Sequence, residues 1–193
     1  MKSICVFCGS NTGSEEVYRQ TAIKLGQSLA ARKIRLVYGA GNVGLMGVIA
    51  DACLDAGGEV LGVIPHFLKI KEVCHTSLTQ LRVTQTMHER KQMMADESDG
   101  FIAMPGGFGT LDELCEILTW GQLGLHNHPI GVLNVAGYFD PLLQMFDHMV
   151  SQRFLAVPNR GLVLSDASPQ GLLEQMERYD PPEAEKWLDR SRT

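Results

Sequence analysis

Residues 100–121, GFIAMPGGFGTLDELCEILTWG, hold one strand–turn–helix unit, and the rest of the chain repeats it. Residues 100–104 are a short apolar run, the pattern of a strand buried on both faces. Pro105-Gly106-Gly107-Phe108-Gly109 breaks that run, and a helix is predicted from about Thr110 to Gly121. Upstream, the first strand spans 4–8 and turns at Gly9-Ser10. A helix follows over 14–32, with Tyr18, Ala22, Leu25 and Leu29 on one stripe. The second strand, 34–38, closes on Gly39-Ala40-Gly41, and a helix over 44–56 ends at the Gly57-Gly58 pair. A third strand over 59–64 stops at Pro65, residues 66–79 are less regular, 81–84 form a short strand, and 86–97 read as a helix. Downstream come a strand over 130–135, a helix over 139–151, a strand at 162–164 and a helix over 169–178. Apolar strands alternating with helices predict a doubly wound α/β domain, a mostly parallel, Rossmann-like sheet covered on both faces. Residues 1–179 make this single domain, and 180–193 a loosely held tail. In such sheets ligands bind beyond the carboxyl ends of the strands, where strand order reverses.

The 193 residues are 45% hydrophobic and 20% charged, enough to bury a core. The net charge is −5 and no Lys/Arg run appears, which argues against nucleic acid or an anionic membrane as partner. Apolar runs fall well short of a bilayer's thickness. The opening MKSICVFCGS runs into a strand without a secretory leader, so a cytoplasmic location is expected. Five cysteines argue against a closed disulfide framework. Cys5 and Cys8 have C-x-x-C spacing but fall in the first strand, where they read as small buried hydrophobes.

Two glycine turns sit at strand ends. Gly39-Ala40-Gly41-Asn42-Val43-Gly44 matches G-x-G-x-x-G between a strand and a helix, but the next strand ends in Pro65-His66-Phe67, without the acid that binds a dinucleotide ribose. The turn therefore reads as a close approach, near Gly41, to a smaller phosphate-bearing ligand, with a purely structural turn as the alternative. The segment Pro105 to Glu113 is more informative. Gly106, Gly107 and Gly109 clear side chains from the turn, so successive amides can face an anion. Thr110 adds a hydroxyl, and the following helix adds its positive end. No Lys follows, which sets the turn apart from a Walker loop. Glu113 has two readings. It could reach back to the Thr110 amide as a capping box, or it could face a sugar attached to the bound phosphate, holding ribose hydroxyls, stabilising ring charge or orienting water. Arg90 and Lys91 could be a solvated pair, or Arg90 could overhang the strand ends and meet phosphate or base.

With these residues in view, the chain resembles the Lonely Guy family, whose members are often described as lysine decarboxylases. The signature P-G-G-x-G-T-x-x-E is unbroken from Pro105 to Glu113, and Arg90-Lys91 matches the upstream pair, with Arg90 23 positions before Glu113. The segment YGAGNVGLMG, 38–47, and Cys8-Gly9-Ser10 are also similar. Ala40, Asn42 and Phe108 stand where the family commonly has Gly, Ser and Tyr. The resemblance implies a homodimeric, cofactor-free enzyme that splits a cytokinin riboside 5′-monophosphate, or AMP, into free base and ribose 5-phosphate. It implies substrate contacts at Glu72, Arg90, Lys91, Gly107, Phe108, Gly109, Thr110, Leu111, Asp112, Glu113 and Thr119, with Arg90 and Glu113 catalytic. Ser10, Gly41 and Gly106 join them as turn residues. The expected reaction passes through an oxocarbenium-like transition state without a metal. Rival readings are a pyridoxal-phosphate decarboxylase, for which no Lys lies in a recognisable cofactor motif, a non-catalytic nucleotide or cofactor carrier, and a nicotinamide oxidoreductase. His126-Asn127-His128 reads as a polar loop rather than a metal site.

Overall fold

A computed structural model describes residues 1–71 and 74–182. Seven strands form one parallel sheet in the order β4-β3-β2-β1-β5-β6-β7. These are β1 (Ser3–Phe7), β2 (Arg35–Tyr38), β3 (Val60–Pro65), β4 (Gln80–Thr84), β5 (Phe101–Ala103), β6 (Ile130–Leu133) and β7 (Val163–Asp166). The connecting helices are α1 (Glu16–Ala31), α2 (Gly44–Asp55), α3 (His66–Lys71), α4 (Met87–Asp96), α5 (Phe108–Gln122), α6 (Asp140–Ser151), α7 (Val157–Arg160) and α8 (Pro169–Glu177). The chain winds outward from β1 to β4, returns to the middle, and winds the other way from β5 to β7. Register is set by pairs such as Ile4 with Leu36 and Val6 with Ile102.

Side chains alternate across the central strands and build two cores. Ile4, Val6, Leu36 and Tyr38 face Leu25, Leu29, Ile49 and Leu173 of α1, α2 and α8. Cys5, Phe7, Val37 and Val63 face Met94, Leu114, Ile117 and Phe139 on the other side. Strands without a solvent face are apolar throughout, as β3 is from Val60 to Pro65.

Several boundaries differ from the sequence reading. Residues 66–71 are a helix where irregular chain is expected; six residues are too few to show a 3.6 period. The same shortness hides α7. The helix expected from 14 begins at Glu16, after Gly13 takes φ 80°. The strand expected to reach 135 ends at Leu133, where a 3-10 turn over Val135–Gly137 takes over. The helix expected from Thr110 starts at Phe108, with consequences for the site.

Candidate active site

Strand order reverses between β1 and β5, so the turns after those two strands lie side by side. The Gly9 amide donates to the Pro105 carbonyl at 3.0 Å, and the Leu45 amide at the head of α2 donates to the Gly9 carbonyl at 3.0 Å. Gly44, at φ 61°, lets the backbone of Ser10 and Asn11 press against it. Ser10 is thereby held between the heads of α2 and the β5 turn. The glycine turn after β2 belongs to the strand next to β1, one step from the reversal.

At the β5 turn, Gly107 is the cap residue of α5 and has no side chain to satisfy the helix. The first intrahelical bond runs from the Leu111 amide to the Gly107 carbonyl at 3.2 Å. The amides of Phe108, Gly109 and Thr110 therefore precede the hydrogen-bond ladder, at the positive end of a 15-residue helix. Open space lies where side chains of Gly107 and Gly109 would project. Phe108 is 93% exposed at the mouth. Free amides at a helix head with no side chains in front of them can receive an anion. Thr110, the third helical residue, is buried with its hydroxyl against Gly106. Because Thr110 lies inside the helix, the capping-box role for Glu113 falls away.

Glu113 meets Arg90 instead. Thr86 caps α4 by accepting from the Glu89 amide at 3.1 Å, while the Glu89 carboxylate accepts from the Gln85 amide at 2.8 Å. That reciprocal cap fixes the helix so that Arg90 turns toward the sheet. Its Nε donates to the Val63 carbonyl at 3.2 Å, and Nη1 stands 3.6 Å from Glu113 Oε1. The two side chains are only 11% and 13% exposed, so the solvated-face reading does not hold for Arg90. Burial pushes the Glu113 carboxyl above its ordinary range, against the opposing pull of Arg90. Burial, and then the Glu113 charge, also raise the thiols of Cys5 and Cys8. Those cysteines are buried, free thiols.

Lys91 turns to the outside of the pair, 3.2 Å from Asp112 and 3.0 Å from Glu116, with its side chain 13% exposed. Burial alone would lower its ammonium, but hydrogen bonds to Glu116 and Asp112 outweigh it and raise it. A Schiff-base lysine needs the opposite shift. Lys91 therefore does not fit the anchor of a pyridoxal cofactor.

The remaining expected residues are spread more widely. Leu111 packs on the core beneath α5. Gly41 pairs with Cys74 and faces Met46, two strands away from the β5 turn. Thr119 is exposed, and its hydroxyl donates to the Cys115 carbonyl at 2.7 Å. It lies about two thirds of a turn around α5 from Glu113 and ~9 Å further along. Glu72 lies outside the described residues. His126 and His128 stack 5.6 Å apart, with His126 Nε2 3.0 Å from the Ile117 carbonyl.

Two residues outside the expected set shape the site. The Arg90 guanidinium lies where a side chain on Gly39 would be, its Cζ 3.2 Å from that position. Gly39 is therefore the opening through which Arg90 reaches the site; the available signal was a glycine directly after a strand. Tyr138 donates from its hydroxyl to the Gly106 carbonyl at 2.5 Å. No local pattern announces that contact, which spans 32 residues.

Known proteins resemble this chain in sequence and in fold. The family described as "possible lysine decarboxylase" matches residues 46–176. The chain is 50% identical over 176 residues to the probable cytokinin riboside 5′-monophosphate phosphoribohydrolase LOGL1 of Oryza sativa subsp. japonica, covering 91% of this chain and 79% of that one. It is 45% identical over 180 residues to the cytokinin riboside 5′-monophosphate phosphoribohydrolase LOG7 of Arabidopsis thaliana, covering 93% and 83%. Among solved structures, the molybdenum cofactor binding protein of Rippkaea orientalis superposes with a TM-score of 0.68 at 23% identity, over 91% of this chain and 95% of that one. The Moco carrier protein of Chlamydomonas reinhardtii superposes with 0.68 at 20% identity, over 91% and 95%. At those identities the likeness to the carriers is one of fold.

Proposed function

This chain belongs to the cytokinin riboside 5′-monophosphate phosphoribohydrolases, the Lonely Guy family, and from that premise we propose that it hydrolyses the N-glycosidic bond of adenine-type nucleoside 5′-monophosphates. The products are the free base and ribose 5-phosphate, and the substrates include AMP as well as cytokinin ribotides. One observation carries the reading: a largely buried Arg90–Glu113 pair, 3.6 Å apart, beside a helix whose first amides open onto a glycine-rich turn.

The 5′-phosphate docks on the amides of Phe108, Gly109 and Thr110. Glu113 lies four residues beyond Gly109, about 6 Å further along the helix, which suits the step from a 5′-phosphate to its sugar ring. Its carboxylate holds the ribose diol and stabilises the cation that forms as C1′–N9 breaks, or aligns the attacking water. Arg90 orients phosphate or base and offsets charge on the departing group. Positioning and fixed charge supply the rate enhancement, with no resident cofactor. The carrier reading is supported only by neighbours of about 20% identity, whereas relatives at 44–50% bear hydrolase names.

We extend the proposal to a homodimer in the cytoplasm. A groove of about 750 Å³ on the outer face of α4, α5 and the edge strand β4 carries Val83, Met93 and Trp120 among polar side chains, a surface suited to a second copy. Thr119 would meet a nucleotide only across such an interface. Buried free thiols at Cys5, Cys8 and Cys53 suit a reducing compartment, and among the described residues no helix is long and apolar enough to cross a membrane.

The test incubates the protein with AMP, isopentenyladenosine monophosphate, and the two unphosphorylated nucleosides, and follows free base by chromatography. Release from both nucleotides and from neither nucleoside is expected. No release from any nucleotide sinks the hydrolase reading, and equal release from nucleosides removes the phosphate seat. Light scattering reports the mass in solution; a monomer removes the dimer.

A further inference from the structure

The loop between β6 and α6 is shaped at a cost. Ala136 takes φ 51° and ψ 29°, a left-handed conformation that disfavours a residue with a Cβ, and Gly137 follows at φ 72°. Side chains hold the loop in place. Asn134 Oδ1 accepts from the Phe139 amide at 2.7 Å, Asn134 Nδ2 donates to Asp140 Oδ1 at 2.7 Å, and the Asn134 amide donates to the Asp166 carbonyl at 2.8 Å. Phe139 is buried as the anchor. The residue this loop presents is Tyr138. Its ring packs edge-on against Phe139, with centroids 5.1 Å apart, and against Tyr18 at 6.0 Å. Its hydroxyl donates to the Gly106 carbonyl at 2.5 Å, across 32 residues of sequence.

We infer that Tyr138 is a positioning residue for the phosphate seat, acting through the Gly106–Gly107 peptide. In a trans peptide the carbonyl and the following N–H point in opposite directions. Holding the Gly106 carbonyl on the Tyr138 side directs the Gly107 amide away from it. Among the described residues, no acceptor in the protein takes a hydrogen bond from that amide. Gly106 and Gly107 have no side chains to fix this peptide's rotation, so an outside clamp does it. The held peptide adds one aligned donor to the amides of Phe108, Gly109 and Thr110. The strained 135–137 turn is what brings a tyrosine from the far side of β5 into reach. This rests on the proposed docking of a 5′-phosphate at the head of α5.

The test is Tyr138→Phe, which keeps both ring contacts and removes only the hydroxyl. Binding of ribose 5-phosphate is measured by calorimetry, and AMP hydrolysis by initial rates. KM for AMP and Kd for ribose 5-phosphate should rise together, about fivefold to tenfold, the loss of one orienting hydrogen bond. Because the hydroxyl does not touch the reacting atoms, kcat should stay within about twofold. Tyr18→Phe, which alters the neighbouring ring but no bond to the turn, should leave both constants unchanged. Unchanged constants in Tyr138→Phe overturn the assignment, as does a fall in kcat alone. If the wild-type protein fails to bind ribose 5-phosphate, the phosphate seat itself is overturned and the inference with it.

Discussion

Replacing Gly39 by Ala tests whether the aim of Arg90, rather than its presence alone, matters for catalysis. The new methyl would overlap Arg90 Nη2 and lie 3.2 Å from Cζ. Ordinary contact requires about 3.5–4 Å, so the terminal nitrogens must retreat by roughly 1.5 Å. Arg90 and Glu113 already stand 3.6 Å apart, which leaves little margin for a re-aimed guanidinium. A misplacement of about 1 Å at a reacting group costs on the order of 100-fold, close to 2.7 kcal/mol of transition-state stabilisation. The fold should survive. Gly39 lies outside the left-handed region, so the substitution gains ~0.4–1 kcal/mol by restricting the unfolded chain. Weakening the Arg90 Nε bond to the Val63 carbonyl offsets that by about 1 kcal/mol. The assay is adenine release from AMP beside a thermal melt. We expect kcat/KM to drop about 100-fold with Tm nearly unchanged. The double variant Gly39→Ala/Arg90→Ala should be no slower than Arg90→Ala, because both changes act on one group. Wild-type kcat/KM in Gly39→Ala would refute the reasoning, since it would mean the guanidinium works equally well from another position.

Three further predictions concern the carboxylate. Glu113→Gln keeps the shape and removes the charge, so turnover should fall at least 100-fold in the same adenine assay. Since burial raises the Glu113 pKa, the native state holds its proton more tightly than the unfolded chain does. The group's contribution to stability is therefore greatest below the ordinary carboxylate range and falls as pH rises through the raised folded value. Melts of Glu113→Gln across mildly acid pH should lack that decline, and an identical pH profile would count against a buried charged carboxylate. The acid limb of kcat/KM should follow Glu113 in the free enzyme. Asp112 raises that pKa and Lys91 lowers it, so Asp112→Asn should move the limb to lower pH and Lys91→Met to higher pH. Limbs that stay in place would mean another group controls the profile.

Much of the fold was legible because each parallel strand is an apolar run between breakers. The runs around Val6, Val37, Val63 and Ile102 have no polar face to confuse with a helix stripe, and all fall on strands. Shorter elements escaped: His66–Lys71 and Val157–Arg160 hold too few residues for a period to show. The helix α5 starts two residues before the expected Thr110 because glycine signals a turn in sequence, whereas Gly109 sits inside the helix. That shift turns Thr110 inward and removes the capping alternative for Glu113. The pairing of Arg90 with Glu113 was legible as a spacing between two family motifs, but its burial was not.

Local chemistry, read along the chain, is enough to specify the alternation of strands and helices, the glycine turn at the head of α5, and the acid one turn inside it. Those features depend on neighbours a few residues apart. The order of the strands, the gap at Gly39 that admits Arg90, the raised pKa of Glu113 and the clamp from Tyr138 to Gly106 were decided only by the folded chain. Each depends on groups far apart in sequence whose separation and exclusion from water exist only once the sheet has formed.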